Sequence, residues 1–493
     1  MPEAASRNNG APYASPLAAE LADDVLERFL RYVVIDTQAD VESTTYPSSA
    51  KQLDLSRLLV EELRAIGLEE VELTEHGYVF ATLPGTVEGT PTVGLIAHVD
   101  TSPDAPGTGV SPIVHRAYPG GPIRLPGDPT QVLDPAELPQ LAERVGHDIV
   151  TSDGTTLLGA DDKAGVAEIV AAVAYLARDA SPRANVRIGF TVDEEVGRGT
   201  DHFDIERFGA DFAYTFDGSG LGELEIETFS ADQLRLTIKG VGVHPGTAKG
   251  RLVNAIKLLA DVVAALPRDT LSPETTEGRE GFVHPGRITG SASSATLVLI
   301  ARDHDDAKLA EHVALVRRLA AEVVGREPQA SFELEVEEQY RNMRSVLDRH
   351  PEIVAAAETA IRRAAVEPVH SIIRGGTDGA RLTERGLPTP NLFTGGQDYH
   401  SVREWASVQD MSASAAWQRS QPSRCASVVS RFGPRNLPSR CCESSGRKAR
   451  HSSGRLSGST WTRRSSVRSR SRARNTSCAT AFSLSPTSSP ISA

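Results

Sequence analysis

Apolar residues recur at helical and strand spacing along most of the chain, and their order indicates alternating helices and strands. A first helix is predicted where Leu17 and Leu21 begin a stripe that continues to Val33. A second is predicted from near Ser49, because Ser49 and Gln52 stand at capping-box spacing ahead of the next apolar stripe. Strand-like runs follow at residues 71–73, 78–83, 92–97 and 186–192, with an apolar helix at 164–177.

The pattern changes near Glu223. Strands are then predicted at 234–238, 295–301 and 332–336, with helices at 252–266 and 307–324 between them. This β-α-β-α-β order is typical of a separate α+β domain, and a helix at 351–365 returns the chain to α/β character. The predicted fold is therefore α/β, a discontinuous catalytic domain with a central mixed sheet and flanking helices, interrupted by a smaller inserted α+β lid domain.

Composition divides the chain more sharply than its average suggests. The 493 residues carry a net charge of −13, but the 83 residues from Met411 onward carry +14 and hold all four cysteines. The body before them is acidic, at −27, and free of cysteine. The predicted organisation is a loose arm at 1–16, the catalytic domain at 17–224 and 344–411, the lid domain at 225–343, and a disordered Ser/Arg-rich tail at 412–493.

The tail needs its own explanation. A frameshift in a high-GC gene would yield such an Arg-, Ser-, Pro- and Cys-rich segment, and is the favoured hypothesis. A disordered basic extension that binds nucleic acid or an acidic partner is the second, although its aromatic residues are widely spaced. A zinc-binding tail is the third, but the cysteines lack ligand spacing. Under the frameshift hypothesis the chain would lose a core helix, which puts its stability and activity in doubt.

Several classes of protein are excluded. The longest apolar run, at 164–177, is 14 residues long and contains Glu168, so no membrane span is expected. The first residues have neither a basic nor an apolar region of a signal peptide. A cysteine-free body suits a reducing compartment, and we expect a cytoplasmic protein.

Five places put a histidine or a carboxylate beside a strand end or a glycine turn. They are His98 and Asp100 at 94–101, Asp161 and Asp162 at 157–165, Glu194 and Glu195 at 190–197, Asp217 at 214–220, and His400 at 395–401. Taken singly, each also fits a structural role, such as a helix N-cap, a solvated acidic loop or an Asx turn. Taken together, two histidines and several carboxylates at strand ends match a site for two zinc-like ions.

Five longer motifs carry a resemblance to a known family. They lie at 98–104 (His-Val-Asp-Thr-Ser-Pro-Asp), 157–165 (Leu-Leu-Gly-Ala-Asp-Asp-Lys-Ala-Gly), 243–250 (Val-His-Pro-Gly-Thr-Ala-Lys-Gly), 373–379 (Ile-Arg-Gly-Gly-Thr-Asp-Gly) and 391–396 (Asn-Leu-Phe-Thr-Gly-Gly). From about Leu21 to about Met411 the chain resembles the peptidase T family, the tripeptide aminopeptidase branch of the co-catalytic dizinc aminopeptidase and deacylase superfamily.

The resemblance implies a role for each candidate residue. Asp161 matches the carboxylate that bridges two Zn²⁺ ions per subunit, for which Co²⁺ or Mn²⁺ could substitute. The other implied ligands are His98 and Asp217 for one ion, and Glu195 and His400 for the other. Asp100 matches the acid that orients a ligating histidine, Glu194 matches the general base, and the Asp161–Asp162 peptide bond is expected to be cis.

The implied activity is release of the N-terminal residue from tripeptides. His244 and Arg374 resemble substrate-side residues, for the oxyanion and the peptide carboxylate respectively; the alternatives are a structural histidine in the lid and an arginine paired with Asp378. Relatives often pair through the lid, so a homodimer is expected, with no membrane or nucleic-acid partner. Two other functions stay open: a related dizinc deacylase or carboxypeptidase acting on N-acyl amino acids, and a non-catalytic protein that binds through its basic tail.

Overall fold

A computed structural model describes residues 13–420 of the chain, with side chains to residue 417. The helices are α1 (Pro16–Val33), α2 (Gln52–Ile66), α3 (Pro139–Ala142), α4 (Ala160–Arg178), α5 (Ile205–Phe208), α6 (Ala255–Ala265), α7 (Asp306–Val324), α8 (Arg344–Leu347), α9 (Pro351–Arg363), α10 (Asp378–Glu384) and α11 (Val408–Ser420). The strands are β1 (Glu69–Leu73), β2 (Val79–Leu83), β3 (Val93–His98), β4 (Ile113–His115), β5 (Ile123–Arg124), β6 (Val132–Leu133), β7 (Ile149–Thr151), β8 (Val186–Thr191), β9 (Phe212–Gly218), β10 (Glu223–Thr228), β11 (Ser230–Lys239), β12 (Phe282–Gly290), β13 (Ser294–Asp303), β14 (Ser331–Tyr340), β15 (Val369–Ile373), β16 (Asn391–Phe393), β17 (Gly396–Gln397) and β18 (Trp405–Ser407).

A central mixed sheet organises the larger part of the fold. Within residues 13–420 its eight strands run in the order β1-β2-β8-β3-β9-β16-β10-β15. The middle strands β8, β3 and β9 are parallel and buried, as their continuous apolar runs predict. Helix α4 packs on β3, and α1 and α11 pack against α4. The predicted α/β class is confirmed. Within residues 13–420, none of the helices combines the length and the hydrophobicity that a membrane span needs.

A second sheet, in the order β12-β13-β11-β14, forms with α6 and α7 a separate hydrophobic core. Its first strand begins at Ser230, whereas β10 belongs to the central sheet, so the predicted start of the lid at residue 225 falls inside β10. Strand β12 was not predicted, because Pro285 and Gly286 interrupt its apolar pattern. Pro285 has no backbone N–H to donate. It stands beside a register shift on β12, an edge strand, where a missing hydrogen-bond donor lowers stability least.

The predicted capping box at the start of α2 is wrong. The helix begins at Gln52 after Lys51, which makes no side-chain cap, and Ser49 contributes only its backbone oxygen to Gln52. The side chain of Gln52 is instead buried and turns toward Asp193. Gln52 therefore supports Asp193 inside the fold instead of capping the helix, and this role is visible only in the tertiary structure.

The last helix extends beyond the predicted boundary at Met411. Helix α11 runs to Ser420, and its side chains from Val408 to Trp417 are buried against α1, α4 and α9. Residues 412–420 are thus part of the folded domain, contrary to their assignment to a disordered tail. The rest of the tail, on which the frameshift hypothesis mainly rests, lies outside the described residues.

Trp417 anchors this last helix. Its ring meets Tyr214 and Phe216 edge-on, with centroids at 4.9 and 5.4 Å, and its Nε1 donates to the backbone oxygen of Ala357 at 3.1 Å. We expect Trp417→Ala to lower the free energy of unfolding by about 3–5 kcal/mol, because it leaves a large cavity. Trp417→Phe, which keeps most of the ring, should cost less. Denaturant unfolding measures both, and equal stability of Trp417→Ala and the wild type would contradict the anchoring role.

Candidate metal centre

Three neighbouring strands of the central sheet end at one edge, and each delivers candidate side chains there. Strand β3 is parallel to both β8 and β9, so the carboxyl ends of the three strands meet. His98 is the last residue of β3 and lies in register with Thr191, the last residue of β8. Asp217 lies near the end of β9, and Glu194 and Glu195 stand in the turn after β8. The strand order therefore brings together residues that are far apart in sequence.

Asp161 lies between two histidines from distant parts of the chain. It stands at the start of α4, after Gly159, whose φ of +83° is one that glycine adopts readily. The Asp161–Asp162 peptide bond is cis, as expected from the resemblance. Oδ1 of Asp161 is 3.0 Å from Nε2 of His98, and Oδ2 is 3.2 Å from Nε2 of His400. One carboxylate thus faces both rings, as a bridging ligand must.

The remaining candidate ligands divide between the two histidines. Oδ1 of Asp217 is 3.6 Å from Nε2 of His98, and Oε2 of Glu195 is 3.0 Å from Nε2 of His400. Ligand atoms of His98, Asp161 and Glu195 also lie within 4.8 Å of one another, so the two sets of donors adjoin at Asp161. Two groups of donors that share Asp161 could hold a pair of cations.

Burial makes this cluster of acids costly without a positive partner. Burial raises the pKa of Glu195 to about 8 and that of Asp217 to about 6, and the Asp161 carboxylate adds to both rises. Hydrogen bonds to Asp161 and Glu195 raise the pKa of His400 to about 11. Oε1 of Glu195 is buried and has no hydrogen-bond partner among the described residues. This orphaned oxygen, in a set of imidazole and carboxylate donors, fits a divalent cation such as zinc.

Asp100 supports both sides of the cluster. It is fully buried, and Nδ1 of His98 lies 3.1 Å from its backbone oxygen and 3.4 Å from its Oδ1. Its two carboxylate oxygens also accept the backbone N–H groups of Glu194 and Glu195, each at 3.1 Å. Asp100 therefore holds the His98 ring and the acidic turn in one arrangement, as an orienting acid beside a ligand does.

Glu194 adjoins the candidate ligands and is only half-buried. Burial raises the pKa of its carboxyl well above the ordinary value, and nearby carboxylates such as Asp217 raise it further. A carboxylate that takes up a proton readily, next to a site that could bind water, is suited to general acid–base chemistry.

His244 lies outside the cluster. It is exposed in the segment after β11, where its Nδ1 accepts the N–H of Gly246 at the start of the 3₁₀ turn Pro245–Thr247. The described structure therefore does not bring it together with the candidate ligands.

Arg374 also lies apart from the cluster, at the end of β15. Its guanidinium donates to the backbone oxygens of Gly278 and Glu280 at 2.9 Å and of Thr276 at 3.1 Å. It also lies over the Phe229 ring, 5.2 Å from the centroid. Contacts with the loop at 276–280, rather than an ion pair with Asp378, hold this side chain.

Asp162 has a supporting contact that the sequence did not reveal. It is fully buried, and its Oδ2 and Oδ1 accept the backbone N–H groups of His98 and Gly165 at 3.1 and 3.2 Å. It also lies close enough to His98 and Asp217 to join them at a cation. Its position directly after Asp161 was the only signal available in the sequence.

Asp193 is a second support that sequence reasoning missed. Its φ is +61°, and its carboxylate accepts hydrogen bonds from the backbone N–H of Ser48, Nε2 of Gln52 and Nη2 of Arg198. These contacts hold a left-handed residue directly before Glu194. The sequence offered one sign of this network, which is the polar Gln52 on the otherwise apolar face of α2.

Comparisons with known proteins agree with this fold. The sequence profile of Peptidase family M20/M25/M40 matches residues 151–419, more than half of the chain. The chain therefore belongs to this peptidase family. It is 46% identical to peptidase T of Geobacillus thermodenitrificans over 393 residues, which are 79% of this chain and 95% of that protein.

Two solved structures share the fold. A tripeptidase from Staphylococcus aureus superposes with a TM-score of 0.65 at 23% identity, covering 82% of this chain and 99% of that one. A Bacillus subtilis protein described as a dinuclear metal binding peptidase of the M20 family superposes with a TM-score of 0.55 at 14% identity, covering 83% and 99%.

Proposed function

We propose that the chain is a metal-dependent aminopeptidase that releases the N-terminal residue of tripeptides. Membership of the peptidase family supports hydrolysis of a peptide bond. The high identity to peptidase T of G. thermodenitrificans, and the shared fold with a protein described as a tripeptidase, support the tripeptide as substrate. The observation that carries the proposal is the Asp161 carboxylate, shared between His98 and His400.

The proposed ligands divide the site into two halves around Asp161. His98 and Asp217 would hold one ion, and His400 and Glu195 the other. Two zinc ions bound there would act as Lewis acids and would lower the pKa of a bound water to about 7. Co²⁺ and Mn²⁺ accept similar nitrogen and oxygen donors.

Glu194 is the proposed general base. It takes a proton from the attacking water and delivers it to the leaving amine. Asp100 holds the backbone of Glu194 at 3.1 Å, which keeps its carboxylate beside the proposed ligands. His244 is proposed to assist at the developing oxyanion, which requires its exposed loop to approach the cluster.

Substrate choice tests the proposed activity directly. The full chain, loaded with zinc, is incubated with a free tripeptide, the same tripeptide acetylated at its N-terminus, and an N-acetyl amino acid. We expect a free amino acid and a dipeptide from the first substrate alone, resolved by mass spectrometry. Hydrolysis of the N-acetyl amino acid with no tripeptide cleavage would instead support a deacylase.

Arg374 is the proposed partner of the tripeptide carboxylate, which requires its guanidinium to exchange contacts with the loop at 276–280 for the substrate. Arg374→Ala is expected to raise KM for tripeptides about 10-fold with kcat little changed, because a charged hydrogen bond contributes about 1.5–3 kcal/mol. Steady-state kinetics measure this split. Arg279→Ala, in the loop that Arg374 contacts, is the matched control, because Arg279 pairs with Glu227 instead. An unchanged KM in Arg374→Ala, or an equal rise in both variants, would contradict the role.

A further inference from the structure

Glu404 is a buried acid that none of the roles above uses. It lies directly before β18, four positions after His400 in the chain, and its relative exposure is 1%. A carboxylate at such a depth is unfavourable unless several donors surround it. Its partners therefore indicate what it does.

Three backbone N–H groups converge on this one carboxylate. Oε2 accepts the N–H of Leu158 at 2.8 Å and of Gly159 at 2.7 Å, and Oε1 accepts the N–H of Asp161 at 3.0 Å. All three donors belong to the turn that opens α4, where backbone N–H groups lack partners within the helix. Glu404 supplies those partners and fixes the turn that carries the Asp161 side chain.

The same carboxylate joins two separate segments of the proposed metal centre. One segment carries Asp161 and the other carries His400, and their side chains meet at 3.2 Å. Strand β18 directly follows Glu404 and pairs with β7, which precedes the Asp161 turn in the chain. Backbone pairing therefore already holds the two segments side by side. Glu404 adds hydrogen bonds that join the Asp161 turn directly to the segment that follows His400.

We propose that Glu404 is a positioning residue, which holds Asp161 and His400 at the separation that paired divalent cations require. The proposal rests on the metal centre described under the proposed function. Partners of metal ligands commonly govern affinity by about 10–100-fold. Glu404 acts through the backbone of the bridging ligand, and therefore on both ions.

Glu404→Gln tests the proposal with almost no change of volume. The amide keeps one acceptor oxygen but turns an NH₂ group toward at least one of the three N–H donors. We expect Co²⁺ to bind about 10–100-fold more weakly than to the wild-type chain. The measurements are a titration of the full chain followed by visible absorption of Co²⁺, and competition for Zn²⁺ with a chelator.

Glu168→Gln is the matched control. Glu168 is an equally buried acid of the same domain, and its Oε2 accepts a hydrogen bond from the Ser414 hydroxyl at 2.5 Å. We expect this variant to bind Co²⁺ as tightly as the wild-type chain. Equal loss of affinity in both variants would show that any buried acid matters for stability alone, and would overturn the proposal.

The remaining outcomes separate this inference from the proposed function. Wild-type binding of Co²⁺ together with unchanged affinity in Glu404→Gln would overturn the role of Glu404 and leave the metal centre standing. No Co²⁺ binding by the wild-type chain would overturn both. If Glu404→Gln does not fold, Glu404→Asp is titrated instead, since it keeps the charge but loses reach; wild-type affinity in that variant would also overturn the proposal.

Discussion

Replacement of Glu194 by glutamine is expected to lower kcat for tripeptides by about 10²–10⁴-fold, the usual contribution of a general acid–base residue. The physical reason is that an amide cannot take a proton from the attacking water, although it has nearly the same shape. Asp100 accepts the backbone N–H of residue 194, which the substitution leaves unchanged, so the turn should keep its place. Metal content and KM are therefore expected to change little.

The measurement combines steady-state kinetics with metal analysis of the purified protein. Glu143→Gln, which alters an exposed acid, serves as the control and should keep the wild-type kcat. A fall in kcat accompanied by loss of metal would show that Glu194 supports the site rather than the proton transfer. A wild-type kcat would contradict the role altogether.

Replacement of Asp161 by asparagine is expected to remove at least one of the two metal ions and to lower kcat/KM by about 10³-fold or more. The carboxylate presents Oδ1 to His98 and Oδ2 to His400, and an amide can present an oxygen to only one of them. Loss of the second ion removes several kcal/mol of charge stabilisation, and 1.36 kcal/mol corresponds to a factor of ten in rate.

Metal stoichiometry after gel filtration, measured with the rate, tests this expectation. Asp211→Asn is a suitable control, because Asp211 is exposed and its Oδ2 accepts the backbone N–H of Thr92 at 2.7 Å. Two ions per chain in Asp161→Asn would contradict a bridging role. Reduced metal content in both variants would point to a general loss of folding.

Part of the candidate cluster could be found from the sequence because several of its members follow apolar strands. His98 and Asp217 end runs whose parallel pairing brings them to the same edge of the sheet. Asp161 was recognisable from its place at the start of an apolar helix. These signals are local. The resemblance of the surrounding motifs to a known family is what assigns a role to each residue.

The supporting residues could not be found in this way, because their partners are distant in sequence. Gln52 reads as a helix cap, yet its amide contacts Asp193, 141 positions away. Glu404 looks like an ordinary polar residue before a strand, yet it accepts hydrogen bonds from the Asp161 turn, 243 positions away. Such contacts depend on the packing of whole segments, which neither periodicity nor local motifs encode.

The limits of the fold prediction have similar causes. Strand β12 was missed because Pro285 breaks its pattern, while its pairing with β13 compensates. The predicted boundary at Met411 fell inside α11, because the composition becomes rich in serine and arginine from that point. In the structure Ser414 is buried, and its hydroxyl reaches Glu168 and the backbone oxygen of Phe393. A polar residue can lie in a core when it has hydrogen-bond partners there, and composition alone does not reveal those partners.

The most direct test of the central claim is the rate of tripeptide hydrolysis by the full chain, after chelation, as zinc is added back. The metal-free chain is expected to be inactive, because the proposed mechanism needs a water activated by the bound cations. Activity should return with zinc and level off near two equivalents per chain, the number that the two halves around Asp161 would hold. Full activity without metal, or no tripeptide hydrolysis at any zinc concentration that the folded chain binds, would contradict the claim.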